Sequence, residues 1–278
     1  MKQVLASFQG ELGAFSQVAV KQLLGDAGRA VACERFEQAF RALEEGRVQA
    51  AVIPVENTLH GSVHENYDHL LRFHLPITGE TSVRILHNLI APQGVSWAKI
   101  RRVYSHPVAL NQCLDFFAAH PHLERIPFYD TAGSVKMIVE QKLTDAAAIA
   151  SSVAAEIYGA RILKRSIEDD RQNFTRFVLL QRPGTKPLLA QTGDRKTSLV
   201  FTTRNVPGAL FRSLSAFALR DLSLAKIESR PLRGKPWEYL FYVDVLEDIA
   251  APRMKKALGH LEELADFLKV LGCYPRGK

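Results

Sequence analysis

The chain has 278 residues, which at roughly 150 residues per domain corresponds to about two domains, and its 31.0 kDa can bury a core without disulfide or metal staples. Hydrophobic residues make up 47% and charged residues 23%, no apolar run approaches the roughly 18 residues of a membrane span, and Gln9, Gly10 and Glu11 break the N-terminus too early for a signal-peptide core. A mini-protein, a disulfide scaffold and a membrane protein are excluded, and the reading is a cytoplasmic globular protein.

The 36 Lys and Arg exceed the 29 Asp and Glu, leaving +7. Such an excess suits a nucleic-acid partner, an anionic small substrate or simply solubility. Basic residues come in pairs, Arg101-Arg102 and Lys255-Lys256, without interleaved aromatics, so the expectation is no nucleic-acid and no membrane partner. Cys33, Cys113 and Cys273 are far apart and odd in number, which fits buried thiols rather than a disulfide framework or a CxxC motif.

From the start to about Leu180, short apolar runs alternate with helical segments, which predicts parallel strands with helices on both faces. The predicted strands include Gln3–Ser7, Ala50–Pro54, Arg102–Ser105, Ala146–Ala150 and Phe174–Leu180. Ser62 and Glu65 read as the capping box of a helix running to Phe73, and Thr131 as the cap of Ala132–Glu140. Residues 182–195, with Arg182-Pro183-Gly184 and Gly193-Asp194, read as a linker. Beyond it come strand Thr197–Thr203, helix Pro207–Arg220, strands Ser223–Arg230 and Glu238–Leu246, helix Ala251–Glu263 and strand Phe267–Leu271. That is βαββαβ, the ferredoxin-like order, with Pro207 placed at the first helical position.

In open α/β sheets ligands bind beyond the carboxyl ends of strands, so the strand-to-helix junctions are the candidates. Ser7 to Ser16 carries Gly10 and Gly13 between a strand and a helix; it fits a tight turn or an anion-binding loop, but lacks the lysine and third glycine of nucleotide motifs. Glu56, Asn57 and Thr58 end a strand with three polar side chains, more than a turn requires, though local backbone bonds would also employ them. Ser105-His106 precedes a helix with Gln112; adjacent side chains diverge, which disfavours a nucleophile–base pair. His60 and His64 are separated by the predicted cap at Ser62 and do not read as a zinc pair. Thr175 and Arg176 alternate on a strand and point to opposite faces.

Taken in order, Gly10–Ser16, Pro54-Val55-Glu56-Asn57-Thr58, Ser105-His106-Pro107 with Gln112, Asp130-Thr131-Ala132, Ala148-Ile149-Ala150-Ser151 and Asn173 through Thr175-Arg176-Phe177 resemble the prephenate dehydratase family over nearly the whole chain. Thr58 stands where the family more often has serine. Asn205 to Leu210 and Ile227-Glu228-Ser229-Arg230-Pro231 look like the two phenylalanine-binding stretches of an ACT regulatory domain. Asn66-Tyr67-Asp68 and Leu268 to Pro275 also look like the related arogenate dehydratases.

The resemblance implies an α/β fold with a two-lobed, periplasmic-binding-protein-like catalytic domain over residues 1–181 and a ferredoxin-like ACT domain over 196–273. It implies a hydro-lyase that converts prephenate to phenylpyruvate, carbon dioxide and water under feedback by L-phenylalanine. The alternatives are arogenate dehydratase and a non-catalytic amino-acid sensor. Thr175 is then the proton donor, with Asn57, Thr58, Ser105 and Gln112 as its network. Gly13, Ala14, Phe15, Glu56, Thr131, Ala132, Arg176 and Phe177 are the expected substrate contacts. Asn205, Pro207, Gly208, Ala209, Leu210, Glu228 and Ser229 are the expected effector contacts. No metal or organic cofactor is implied, and a homodimer or homotetramer is.

Overall fold

The computed structural model describes residues 3–232, 234–235 and 237–277; Met1 and Lys2 lie outside them. By internal contacts the chain forms two units, one from the chain up to Tyr67 with Thr81–Val178, the other from Asp68–Glu80 with the chain from Leu179 onward.

In chain order the elements begin with β1 (Val4–Gln9), α1 (Phe15–Leu24), β2 (Gly28–Cys33), α2 (Phe36–Glu44), β3 (Ala50–Asn57), the two-residue β4 (Gly61–Ser62), α3 (His64–Arg72) and β5 (Ile77–Arg84). They continue with β6 (Asn88–Ala91), β7 (Arg102–Ser105), α4 (Pro107–Asn111), α5 (Leu114–Ala118), β8 (Glu124–Pro127), α6 (Thr131–Glu140), β9 (Ala146–Ala150), α7 (Ser152–Ile157), β10 (Arg161–Lys164) and β11 (Phe174–Leu180). The last group is β12 (Arg195–Thr202), α8 (Ala209–Ala218), β13 (Leu224–Pro231), β14 (Tyr239–Val245), α9 (Pro252–Leu264) and β15 (Phe267–Pro275).

Three sheets result: β2-β1-β3-β11-β5 with β4 on β3, then β10-β6-β9-β7-β8, then β13-β14-β12-β15. The first two make two α/β lobes. β1 runs parallel to β2 and β3, and β7 parallel to β8 and β9. β6, however, is antiparallel to both β9 and β10, so the lobes are mixed rather than wholly parallel. The sequence pattern leaves out β2, β4, β5, β6, β8 and β10; of these β8 reads Glu-Arg-Ile-Pro and β10 Arg-Ile-Leu-Lys, short and polar, whereas β2 and β6 carry apolar residues without a dense enough run to mark them. β9, by contrast, is Ala-Ala-Ala-Ile-Ala, buried at every position as a strand covered on both faces must be. Leu89, Val103, Ala147, Ile149, Phe116 and Phe117 close the second core.

Four helix starts differ from the sequence expectation, that of α9 only by one residue, Pro252 in place of Ala251. Ser62 belongs to β4, paired with Glu56, and α3 starts at His64. α6 starts at Thr131 itself; its cap is Asp130, whose carboxylate accepts the Gly133 N–H at 2.7 Å, an acceptor stronger than a hydroxyl. α8 starts at Ala209 behind Gly208 in the left-handed region, φ 77°, so Pro207 lies before the helix rather than in its first turn.

The βαββαβ order of the last third is present, with α8 and α9 closing a core of Phe217, Met254 and Leu261 against Leu199, Phe201 and Val243. Lys196 on β12 is only 4% exposed. Its Nζ sits 2.7 and 2.8 Å from the two oxygens of Glu80 and 3.9 Å from Asp244 Oδ2. Ser198 Oγ donates to Asp244 and lies 2.7 Å from the Tyr274 hydroxyl. One cation therefore serves two buried carboxylates. Removing it takes their shared counter-charge out of the interior, so Lys196→Met is expected to cost about 3–5 kcal/mol in denaturant unfolding, and pairing it with Glu80→Leu to recover much of that loss.

Candidate active site

A cleft of about 450 Å³ opens within the first unit, inside the size range of small-molecule sites. Both lobes line it, and the β1–α1 loop lies against the second lobe. Gly10 (φ 115°) and Gly13 (φ 91°) are required there: a Cβ on Gly10 would stand 2.9 Å from Asp130 Oδ2, and one on Gly13 would stand 2.6 Å from Ala154 Cα. Ser151 Oγ donates to the Gly13 carbonyl at 2.6 Å, the Tyr158 hydroxyl to the Leu12 carbonyl at 2.9 Å, and the Tyr129 hydroxyl to Glu11 Oε1 at 3.1 Å. Lys136 reaches the other Glu11 oxygen at 3.2 Å. The loop then delivers Phe15 and Ser16, the first residues of α1, to the cleft wall.

On the first lobe, the carboxyl end of β3 meets the start of β11. Asn57 Oδ1 accepts the N–H groups of Leu59 and His60, both at 3.0 Å, so its Nδ2 faces β11. There it lies 2.8 Å from Asn173 Oδ1, 3.1 Å from the Phe174 carbonyl and 3.0 Å from Thr175 Oγ1. The Thr175 oxygen is thus an acceptor toward Asn57. Its own O–H finds no acceptor among the described residues, and Thr175 lines the cleft. Thr58 acts on the backbone instead, its hydroxyl donating to the Gln172 carbonyl at 2.7 Å and accepting the Phe174 N–H at 3.0 Å. It pins the strand that carries Thr175.

The second lobe supplies Gln112, His106, Asp130 and Thr131. His106 Nδ1 accepts the Val108 N–H at 3.2 Å, so its remaining proton is on Nε2. Burial, with a smaller contribution from His60, holds its pKa below the ordinary value. Burial likewise raises Asp130, against the lowering effect of the N–H groups it accepts, while Glu11 adds to the rise. Tyr129 is pushed up to about 12, chiefly by burial and then by Glu11, and stays a donor at neutral pH. Among the described residues lining the cleft none is Lys or Arg.

Of the residues expected from sequence, Ala14, Phe15, Asn57, Gln112, Thr131 and Thr175 meet in the cleft. Gly13 and Ala132 sit behind the wall, and Phe177 is core, 2% exposed. Ser105 is fully buried, its Oγ donating to the Ile149 carbonyl at 2.6 Å. Arg176 and Glu56 form an ion pair with each other, Nε to Oε2 3.8 Å, outside the lining, as alternation with Thr175 requires. Sequence reasoning passed over His87, Tyr129 and the Asp130 carboxylate. Only Asp130 carried a signal, as a member of the stretch Asp130-Thr131-Ala132 just ahead of a predicted helix.

In the second unit, a smaller hollow of about 110 Å³ is lined by Asn205, Ala209, Leu210, Trp237, Tyr239 and Phe241 among others. Pro207, Gly208, Glu228 and Ser229 are not in its wall; Glu228 lies 3.5 Å from Lys226 Nζ.

A cleft between two α/β lobes, lined by hydroxyl, amide and imidazole groups, together with a βαββαβ module, defines a two-lobed α/β protein with an appended ferredoxin-like domain. Residues 6–185 match the family model described as prephenate dehydratase, and the chain belongs to this family of hydro-lyases. It is 46% identical over 286 residues to arogenate dehydratase/prephenate dehydratase 2, chloroplastic, of Arabidopsis thaliana, covering 98% of this chain and 73% of that one. The solved prephenate dehydratase of Arthrobacter aurescens, in complex with L-Phe, superposes with a TM-score of 0.89 at 32% identity, over 98% of this chain and 90% of that one. GqqA, described as a novel type of quorum quenching acylase, gives 0.89 at 33% identity over 98% and 97%.

The Asp130 shift has a definite sign. A carboxyl raised in the folded state favours folding below its ordinary 3.8, and that contribution is lost as pH climbs through the raised value. Asp130→Asn keeps an oxygen to cap Gly133 and removes the titration. Its unfolding free energy relative to wild type is therefore expected to improve from below pH 3.8 toward neutrality.

Proposed function

We propose that the cleft expels the ring hydroxyl of prephenate, or of its amino counterpart arogenate, together with carbon dioxide. The bond from the ring to its carboxylate breaks and leaves its electron pair in the ring as the ring becomes aromatic. The C–O bond on the opposite side breaks with its pair, and a proton converts the leaving hydroxide to water. The observation that carries this reading is the Thr175 hydroxyl, whose oxygen already accepts the Asn57 N–H while its proton is free toward the cleft. A threonine is a weak acid, so the group works as an aimed donor within a network in which Gln112 takes part, while Thr58 holds the strand that carries it and Ser105 ties β7 to β9 in the second lobe. The head of α1 at Phe15 and Ser16 and the head of α6 at Thr131 supply N–H groups suited to the substrate carboxylates.

Acyl transfer has less support. Ser105 Oγ is committed to Ile149 and His106 Nδ1 to Val108, so they form no nucleophile–base pair. Between the two dehydratase substrates, the relative at 46% identity is named for both, the relative at 45% for arogenate and the family model for prephenate.

The same reading assigns residues 1–181 to catalysis, 182–195 to a linker and 196–273 to an ACT domain, acting as a homodimer or homotetramer with L-phenylalanine as effector. The hollow beside Asn205 and the L-Phe bound in the Arthrobacter aurescens relative support the effector. A reducing, cytoplasmic setting belongs to it as well, supported by three free cysteines. No helix among the described residues is long and apolar enough to cross a membrane.

Thr175→Val is expected to lower kcat by about 10²–10⁴ with the melting temperature kept, and Thr175→Ser to retain turnover; a near-normal kcat in the valine variant removes the donor role. Comparing kcat/KM for prephenate and arogenate names the substrate, since a site built for one polar group rejects its analogue by up to about 10⁴-fold. Gly208→Val forces a β-branched residue into a left-handed turn. It is expected to raise the phenylalanine concentration for half-inhibition by about tenfold or more while uninhibited turnover stays.

A further inference from the structure

Buried imidazoles ordinarily satisfy both ring nitrogens. His87, between β5 and β6, is 2% exposed, lines the cleft and makes one side-chain hydrogen bond. Its Nε2 lies 2.7 Å from Gln112 Oε1, while its Nδ1 is buried with no partner among the described residues. The ring meets Phe15 edge-on at 5.8 Å.

The main chain at this point does not need the ring. The His87 N–H donates to Glu168 Oε2 at 2.9 Å, and the His87 carbonyl accepts the Ile167 N–H at 2.9 Å. Gln112 is also held by its backbone: its N–H donates to the Val108 and Ala109 carbonyls, and its carbonyl accepts the Asp169 N–H at 2.8 Å. What the backbone leaves open is which end of the Gln112 carboxamide faces the cleft.

We propose that His87 is a positioning residue that settles this choice. A carbonyl oxygen and a ring nitrogen at 2.7 Å repel unless the nitrogen carries a proton, so His87 is a donor at Nε2. Burial holds the ring neutral, which leaves Nδ1 as a bare acceptor. Gln112 Oε1 is thereby occupied, and its NH₂ group, which has no partner among the described residues, is the end offered to the cleft. The reversed amide would turn an acceptor toward a dicarboxylate and a departing hydroxide. An unsatisfied buried nitrogen is a cost that a purely structural residue of this size would avoid; the bond to Gln112 is its return.

The inference rests on the dehydratase reading, which wild-type turnover of prephenate or arogenate tests first and separately. On the better substrate, His87→Leu and Gln112→Ala are each expected to lower kcat by about tenfold to a hundredfold with KM little changed. The double variant is expected to be no slower than Gln112→Ala, because the ring acts through the amide alone. His87→Gln, which returns an N–H donor near the Nε2 position, is expected to recover most of the loss. Independent, multiplying losses in the cycle, a wild-type kcat in His87→Leu, or no recovery in His87→Gln overturns the proposal. Should His87→Leu not fold, His87→Phe keeps the ring volume without the donor and carries the same cycle with the same outcomes.

Discussion

The arrangement of the cleft depends on one carboxamide. Asn57 sits at the carboxyl end of β3 with its oxygen tied to two backbone N–H groups of the following turn, and its nitrogen is left to span the gap to β11. An amide so held has no rotational choice, and neither does the Thr175 oxygen it addresses. Thr58 reinforces the same junction from the next position. Two strands whose sequences lie more than a hundred residues apart are thus locked where the Thr175 hydroxyl enters the cleft wall.

The second lobe follows the same rule with different groups. His87 fixes Gln112, Val108 fixes the tautomer of His106, and Asp130 caps α6 while resting against Gly10. In each case a donor or acceptor is consumed inside the protein so that the opposite atom has one orientation. Preorganised dipoles of this kind need not reorganise as charge develops in a reaction.

Much of this was legible in the sequence, and the failures have physical causes. β9 and β11 follow the expected bounds because their apolar runs are dense and flanked by polar breaks, and β7 because Arg-Val-Tyr-Ser alternates between buried and half-buried positions. β8 and β10 escape because short polar edge strands are held by partners rather than by composition. The cap of α6 falls one residue before the expected position because aspartate and threonine adjoin and both can cap. Alternation foretold that Thr175 and Arg176 would part, yet it said nothing of Glu56 as the arginine's partner. His87 stands in an apolar run, Ile85-Leu86-His87-Asn88-Leu89, where its significance depends on a glutamine 25 positions away.

Because the described wall of the cleft holds no lysine or arginine, the groups that would face an anion are fixed at the moment of folding. Long basic side chains would each have to surrender rotamer freedom when ligand arrives; peptide N–H groups at a helix head have none left to lose. Attraction of that short-ranged kind also fades within a turn of the helix, so it acts on a ligand already seated rather than drawing one from solution. The described wall thus presents backbone rather than long basic side chains at the two helix heads.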